Sequence, residues 1–283
     1  MKVVFVGVGA IGLPMALQIQ AAGHKVQGVD VAEASRQRAR AQGIETVERY
    51  SMTDKADVVV VMVATPQQLA ALVEEALPNV SGQHWVIMST VGPEAMIAGA
   101  EQLQRAGAMV VDAPVTGGTA RASTGDLVIF AAGNEASLTY VEPVLTAMGR
   151  MKTVGNRTGD GQGIKVINQH LCAVHIVAAA EALNLAQSLG LDPAQVLPLI
   201  EGGAAGSWML SDRGPRMLQG TDVEVSSAIN IFVKDSGLVA DAATACQVEV
   251  PLLKVAHARY LAAVQAGLGQ CDDSRVIETW QRP

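Results

Sequence analysis

The segment 159–169, GDGQGIKVINQ, combines three glycines with a lysine and, one helical turn further on, two amides. Lys165, Asn168 and Gln169 share one helix face, because side chains three and four residues apart lie one above the other. The residues that follow, LCAVHIVAAAEALNLA, are too apolar for a solvent-facing helix. An amine in apolar surroundings loses its proton more readily, so Lys165 could exchange a proton with a hydroxyl group. The alternative is a lysine that reaches solvent at a domain edge.

A second lysine, Lys234, lies in the apolar segment NIFVKDSGLVADAA. If it reaches the same pocket as Lys165, its ammonium would attract a substrate carboxylate and make Lys165 easier to deprotonate. The pattern is equally compatible with a pairing to Asp235 or with an exposed charge at the start of a helix.

The segment DAPVTGG, residues 112–118, places a hydroxyl and two glycines just beyond an apolar strand. Thr116, Gly117 and Gly118 could form a nest of backbone N–H groups that binds a carboxylate. By itself the same composition is also that of an ordinary turn.

A third glycine pattern follows the first apolar strand and begins a helix. Gly7, Gly9 and Gly12 form GxGxxG in VVFVGVGAIGLPMALQIQ, and the pattern predicts a tight turn, close access for a pyrophosphate, and close helix–strand packing. The phosphates would bind at the helix N-terminus, beside Ala10 and Ile11. The motif alone is weak, because other proteins and chance turns contain it.

The acidic residue Asp30 ends the second strand, where a carboxylate can accept hydrogen bonds from the ribose of a dinucleotide. A carboxylate there repels a 2′-phosphate, which favours NAD over NADP. Arg36 and Arg38 are near enough to weaken that prediction, although they are also compatible with a solvated helix face.

The elements that position these residues divide the chain in two. Five apolar runs, each followed by a helical stretch, predict a doubly wound, mostly parallel α/β sheet of the Rossmann type in residues 1–160. From about 161 the strand pattern nearly vanishes, and Ala- and Leu-rich helices follow, with starts at Asp192-Pro193 and near Pro251. We therefore expect an all-helical domain in residues 161–283, joined to the first by a long helix. The five runs are KVVFVG, HKVQGVD, DVVVVMV, HWVIMST and AMVVDAP.

Composition excludes several classes of function. Hydrophobic residues make up 49% of the chain and charged residues 17%, with a net charge of −7, which is typical of a compact globular protein that repels nucleic acid. No apolar run near the middle approaches the ~20 residues of a membrane span, and no signal peptide is evident, so we expect a cytoplasmic protein. Three widely spaced cysteines argue against disulfides and against a metal site.

Four blocks together resemble the β-hydroxyacid dehydrogenase family, which includes 3-hydroxyisobutyrate, tartronate semialdehyde and 6-phosphogluconate enzymes. They are GVGAIGLPMALQIQAAGH, DAPVTGG, GDGQGIKVINQ and FVKDSGLVADAA, in that order over nearly the whole chain. The segments AAGSWML and GLGQCDDSRVIE are similar to the branch that oxidises four-carbon sugar acids such as L-threonate and D-erythronate. In that branch the hydroxyl beside the carboxylate is oxidised, which gives a 2-oxo acid.

The resemblance implies a role for each matching residue. Lys165 would be the catalytic acid and base, Thr116 to Gly118 would hold the substrate carboxylate, and Asn168 or Gln169 would orient the reacting hydroxyl. Lys234 would close the pocket on substrate and cofactor. Further candidates are, for the cofactor, Val63 and Thr90 at the ends of two strands and, for the substrate, Ser207, Trp208 and His175. Trp208 is also compatible with a core or interface anchor, and His175 more readily with a core histidine.

We therefore expect an NAD-dependent dehydrogenase of a small hydroxy acid that acts as a homodimer or homotetramer. A reductase of tartronate semialdehyde, or an enzyme of the 3-hydroxyisobutyrate type, would use the same residues. A protein that binds dinucleotides without catalysis is a more distant alternative, because such a protein has no use for a buried amine.

Overall fold

The computed structural model describes residues 1–280. The chain forms two compact units, Met1–Lys165 and Val166–Pro283, whereas the sequence places the boundary at 160/161. We refer to them as unit 1 and unit 2.

Unit 1 is built on one twisted sheet with strand order β3-β2-β1-β4-β5-β6-β8-β7, and β9 pairs with β8. The pairs from β3 to β6 are parallel, β8 runs antiparallel to β6 and β7, and β9 is parallel to β8. The order reverses between β1 and β4, where parallel sheets of this type bind ligands beyond the carboxyl ends of the strands. The strands are β1 (Lys2–Val6), β2 (Lys25–Val29), β3 (Glu45–Val47), β4 (Val58–Val61), β5 (His84–Ile87), β6 (Met109–Asp112), β7 (Val115–Thr116), β8 (Leu127–Ala132) and β9 (Gly149–Gly155).

The central strands are apolar on both faces because helices cover both sides of the sheet. Alternate residues of β4 enter two separate core clusters, Val58 and Val60 in one, Val59 and Val61 in the other. This confirms the predicted Rossmann-type, mostly parallel sheet. The helices of unit 1 are α1 (Gly12–Ala21), α2 (Glu33–Ala41), α3 (Pro66–Ala76), α4 (Pro93–Arg105), α5 (Gly118–Thr124) and α6 (Glu135–Met148).

The long helix α7 (Asp160–Ser188) passes through the boundary between the units. It begins at Asp160, so Gly161 and Gly163 lie inside its first turns. Within residues 1–280 it is the one helix whose length and mean hydropathy would suffice to cross a membrane. The core helix of a globular protein meets the same criterion, and α7 buries Ala173, Ile176 and Ala180 completely in the core of unit 2.

Unit 2 is helical, as predicted. Asp192 caps α8 with its side chain and Ser207 caps α9, which explains where both helices begin. The stacked rings of Phe232 and Tyr260 contribute to the core. Besides the second part of α7, the helices are α8 (Pro193–Glu201), α9 (Trp208–Met217), α10 (Ile229–Ala245), α11 (Pro251–Gln265) and a 3₁₀ helix, Asp273–Thr279.

Candidate active site

The glycines after β1 differ in what requires them. Gly7 has a φ of +93°, and a Cβ there would lie 2.3 Å from the carbonyl oxygen of Met62. A Cβ at Gly12 would lie 1.8 Å from the carbonyl oxygen of Gly7, because the helix passes so close to the strand. Gly9 has no atom within 4 Å of a Cβ position, so packing within the chain does not require a glycine there. The open space above Gly9, at the N-terminus of α1, fits the pyrophosphate of a dinucleotide.

The carboxylate of Asp30 follows β2 and is oriented by its own turn, since its Oδ1 accepts a hydrogen bond from the backbone N–H of Ala32 at 2.9 Å. The sequence is compatible with Arg36 on a solvated helix face, but the structure does not place it there. Its side chain is largely buried, donates to the carbonyls of Asp30 at 2.6 Å and Val31 at 3.0 Å, and pairs with Glu33. The guanidinium closes the end of β2, whereas Arg38 is exposed and contacts Ser35.

The ends of β4 and β5 are joined by a serine. The Ser89 hydroxyl accepts a hydrogen bond from the backbone N–H of Val63 at 2.7 Å. Thr90 is the next residue, and the backbone N–H groups of Val91 and Gly92 both donate to the side-chain oxygen of Gln162, each at 3.1 Å. The structure therefore brings the segments of Val63 and Thr90 together with the first turn of α7.

The carboxylate of Asp112 joins the end of β6 to the same turn. It is completely buried, and its Oδ2 accepts hydrogen bonds from the backbone N–H groups of Gly159 at 2.9 Å and Gln162 at 3.0 Å. Burial raises the pKa of Asp112 to about 6, against the opposing effect of these hydrogen bonds. A strand-end carboxylate thus caps the helix that carries Lys165.

The Thr-Gly-Gly segment connects β7 to α5. Thr116 ends β7, and Gly117 and Gly118 follow with φ values of +134° and +67°. A Cβ at Gly118 would meet nothing within 4 Å, so this position has space for a ligand. Backbone N–H groups in turns can bind anions, and a carboxylate site at this turn stays a prediction.

Lys165 is the last residue of unit 1, and its side chain is buried, with 6% of its surface exposed. This excludes the alternative of a lysine that reaches bulk solvent. It lies three residues after Gln162, one helical turn beyond the hydrogen bonds to Asp112. Its role as acid and base remains a prediction.

Within unit 2, the amides that follow Lys165 connect to the second lysine. Asn168 donates to the side-chain oxygen of Gln169 at 2.9 Å and contacts the sulfur of Cys172 at 3.4 Å. Gln169 in turn donates to the carboxylate of Asp235, whose other oxygen is 2.8 Å from the Nζ of Lys234. Lys234 therefore pairs with Asp235, which is one of the alternatives that the sequence left open. The pair lies beside Gln169.

Ser207, Trp208 and His175 each have a different setting within unit 2. The hydroxyl of Ser207 caps α9 by accepting from the backbone N–H of Leu210 at 3.0 Å, and α9 packs against α8 and the C-terminal 3₁₀ helix. Trp208 is 57% exposed with the Arg213 guanidinium 6.0 Å from its ring, so it is not a core anchor. His175 is half-buried on α7.

No role for Asp112 or Gln162 was predicted from the sequence, and Asp235 was considered only as a partner for Lys234. Each carried a signal, because each is a polar residue in an apolar or glycine-rich segment that contains another candidate. A buried polar group needs partners, so such residues are expected at structured sites.

Two family models match successive parts of the chain. Residues 2–158 match the family model described as the NAD binding domain of 6-phosphogluconate dehydrogenase. Residues 159–280 match the model described as NAD-binding of NADP-dependent 3-hydroxyisobutyrate dehydrogenase.

Individual relatives match over nearly their full lengths. L-threonate dehydrogenase of Cupriavidus necator is 36% identical over 96% of this chain and 94% of its own. 2-Hydroxy-3-oxopropionate reductase of Escherichia coli is 30% identical over 98% and 96%. The crystal structure of a 3-hydroxyisobutyrate dehydrogenase from Salmonella typhimurium is 31% identical, with a TM-score of 0.90 over 99% of this chain and 100% of that one. The chain therefore belongs to the β-hydroxyacid dehydrogenase family and is an NAD(P)-dependent oxidoreductase that acts on the CH–OH group of a hydroxy acid.

Proposed function

We propose that this enzyme oxidises a four-carbon sugar acid such as L-threonate or D-erythronate to its 2-oxo acid, with NAD as the oxidant. The observation that carries the proposal is the burial of Lys165, an amine kept from solvent beside the capped first turn of α7. The L-threonate dehydrogenases, at 30% to 36% identity, support this substrate class.

The chain's own residues would divide the reaction as follows. The hydroxyl and backbone N–H groups of the Thr116–Gly118 turn bind the carboxylate, and Asn168 or Gln169 orients the hydroxyl beside it. Lys165 accepts the hydroxyl proton as the carbinol carbon becomes a carbonyl carbon. NAD, when bound, supplies the acceptor for the hydride that leaves this carbon. In the reverse direction Lys165 returns the proton to the oxygen.

We also propose that NAD is preferred over NADP. Asp30 places a carboxylate where the adenosine ribose is expected, and a 2′-phosphate would be repelled there. Arg36, the nearby arginine that could have neutralised that phosphate, is engaged by two backbone carbonyls and Glu33. Because the model that matches residues 159–280 is described with NADP-dependent enzymes, both cofactors belong in the assay.

A second candidate is the reduction of 2-hydroxy-3-oxopropionate. It is favoured by the reductase that is 30% identical over nearly the whole chain. The same residues would serve, with Lys165 as the proton donor.

The test is a panel of L-threonate, D-erythronate, glycerate and 3-hydroxyisobutyrate, followed as NADH or NADPH absorbance with each cofactor. We expect the four-carbon acids with NAD to give the highest kcat/KM. Lys165→Ala should keep NAD binding and lose turnover by at least ~100-fold, the scale of a general acid or base. Preference for glycerate would favour the second candidate, and unchanged turnover in the variant would contradict the role of Lys165.

A further inference from the structure

A buried carboxylate and a buried amide connect the sheet of unit 1 to the helix that carries Lys165. Asp112 is 47 residues before Gly159 in the chain, yet its carboxylate supplies the cap that a helix usually takes from the residue just before it. Both side chains, Asp112 and Gln162, are completely buried.

The amide of Gln162 uses its full hydrogen-bonding capacity. Its oxygen accepts from the backbone N–H groups of Val91 and Gly92, and its nitrogen donates to the carbonyl of Ser89 at 3.0 Å and to Asp112 Oδ1 at 3.2 Å. Two donors and two acceptors are all that such a group has. The amide therefore has one satisfactory orientation. If it turned over, its NH₂ group would face the N–H donors and its oxygen would face the acceptors.

The first turn of α7 is also held by close packing. A Cβ at Gly161 would lie 2.6 Å from the carbonyl oxygen of Phe130 and 3.0 Å from the carboxylate of Asp112. The turn thus lies directly on strand β8 and on the end of β6, with no room for it to shift inward.

We propose that Asp112 and Gln162 are positioning residues that hold the amine of Lys165 in place for proton transfer. Three strand ends, those of β4, β5 and β6, are linked through Ser89, Gln162 and Asp112 to the helical turn immediately before Lys165. A reacting group displaced by about an ångström can lose on the order of 100-fold in rate. This inference rests on the proposed role of Lys165, and its test separates the two.

The first variant is Asp112→Asn, which keeps the shape of the side chain. Whichever way the new amide turns, its NH₂ group faces either the NH₂ of Gln162 or the backbone N–H groups of Gly159 and Gln162. Two donors then oppose each other in a buried place, so the cap weakens. Gln162→Met removes the amide without adding a charge, and it is the second variant if the first does not fold.

The first measurement does not depend on catalysis. The acylation rate of the Lys165 amine by a water-soluble reagent is measured by peptide mass spectrometry, with exposed Lys152 as the internal reference. Asp112→Asn should raise the Lys165 rate at least ~5-fold, because a loosened first turn of α7 opens more often and exposes the amine three residues further along the helix. Asn134→Ala is the matched control: it removes the side-chain cap of α6 in the same unit and should leave the Lys165 rate unchanged.

The second measurement is a double-mutant cycle on kcat and KM for the fastest acid of the panel. Asp112→Asn should lower kcat by ~10- to 100-fold with KM changed less than ~3-fold, and should have no further effect in Lys165→Ala. An equal loss of kcat in both backgrounds, or an unchanged acylation rate, would overturn the inference. If Lys165→Ala retains turnover while Asp112→Asn still exposes the amine, the anchoring of Lys165 stands and the proposed function fails.

Discussion

Each unit holds a completely buried aspartate, but the two are satisfied by different partners. In unit 1, Asp112 accepts hydrogen bonds from neutral donors, the backbone of Gly159 and the backbone and side chain of Gln162. In unit 2, Asp273 receives a two-pronged contact from the guanidinium of Arg213, with distances of 2.7 and 3.0 Å. Burial raises the pKa of each carboxyl to about 6, against the opposing effect of its partners.

The difference indicates separate tasks. The Arg213–Asp273 pair joins α9 to the C-terminal 3₁₀ helix. It is part of a charged cluster in which Arg216 contacts Asp272 at 2.8 Å and Arg275 is completely buried. Although burial opposes it, Asp273 raises the pKa of Arg213, so the pair keeps its charges at neutral pH. The unit 1 network holds the first turn of α7 through neutral N–H donors alone, without an ion pair. Its task is to fix the position of a helix, whereas the ion pairs of unit 2 join α9 to the C-terminal segment.

The largest effect is expected from Arg213→Met, which leaves Asp273 buried without its cation. Removing one partner of a buried ion pair costs about 3–5 kcal/mol, measured here by urea unfolding. The loss should be smaller at pH 5 than at pH 8, because a proton can then neutralise Asp273.

Arg105→Met is the matched control, since Arg105 pairs with Glu101 at an exposed site, 3.6 Å apart. Exposed pairs contribute about 1 kcal/mol at most. Equal losses in the two variants would show that the buried cluster is not the stabilising feature that distinguishes unit 2.

A somewhat smaller effect on the free energy of unfolding is expected when the pH is raised. The raised pKa of Asp112 means that the folded chain binds a proton that the unfolded chain releases between pH about 4 and 6. The associated stability is present below about pH 4 and is lost as the pH rises through about 6. Asp272 behaves in the opposite way: burial raises its pKa, but Arg216 and Ser274 outweigh this and hold it well below its usual value, so its contribution is lost only in acid.

Urea unfolding of the wild type and Asp112→Asn between pH 4 and 8 checks this sign. The wild type should lose ~2–3 kcal/mol relative to the variant as the pH rises, since one unit of pKa corresponds to about 1.4 kcal/mol. A constant difference across this range would mean that Asp112 has no raised pKa, and that its neutral donors compensate its burial fully.

Much of this comparison could be predicted from the sequence, and part could not. The parallel strands were evident because β1, β4, β5 and β6 are continuous apolar runs. Strand β8, LVIFAA, has the same composition and could have been included, whereas β9, GRMKTVG, alternates polar and apolar residues at an edge, and β3 and β7 are too short to show a period.

At the site, sequence patterns identified the residues that short-range geometry requires. Gly7, Gly12 and Lys165 each lie in a motif whose spacing has a physical meaning. The partner of a buried polar group is set by tertiary contact, however, and Asp112 is 50 residues from Gln162 while Gln169 is 66 residues from Asp235. Their roles could not be derived from spacing, because nothing in a single sequence records which distant strand end meets which helix.

The smallest of the three effects on stability is expected from Gly161→Ala. This variant tests how tightly the first turn of α7 packs against β8 and the end of β6. The new Cβ would lie 2.6 Å from the Phe130 carbonyl, so the turn must move outward. Overpacking of this kind costs about 1–3 kcal/mol, and kcat should fall by ~10-fold as Lys165 moves with its helix. Gly99→Ala in α4 is the control, because its nearest neighbour is 3.7 Å away and alanine favours a helix. If both variants keep full stability and kcat, the first turn of α7 can move without cost. The hydrogen bonds of Asp112 and Gln162 would then not hold it rigidly.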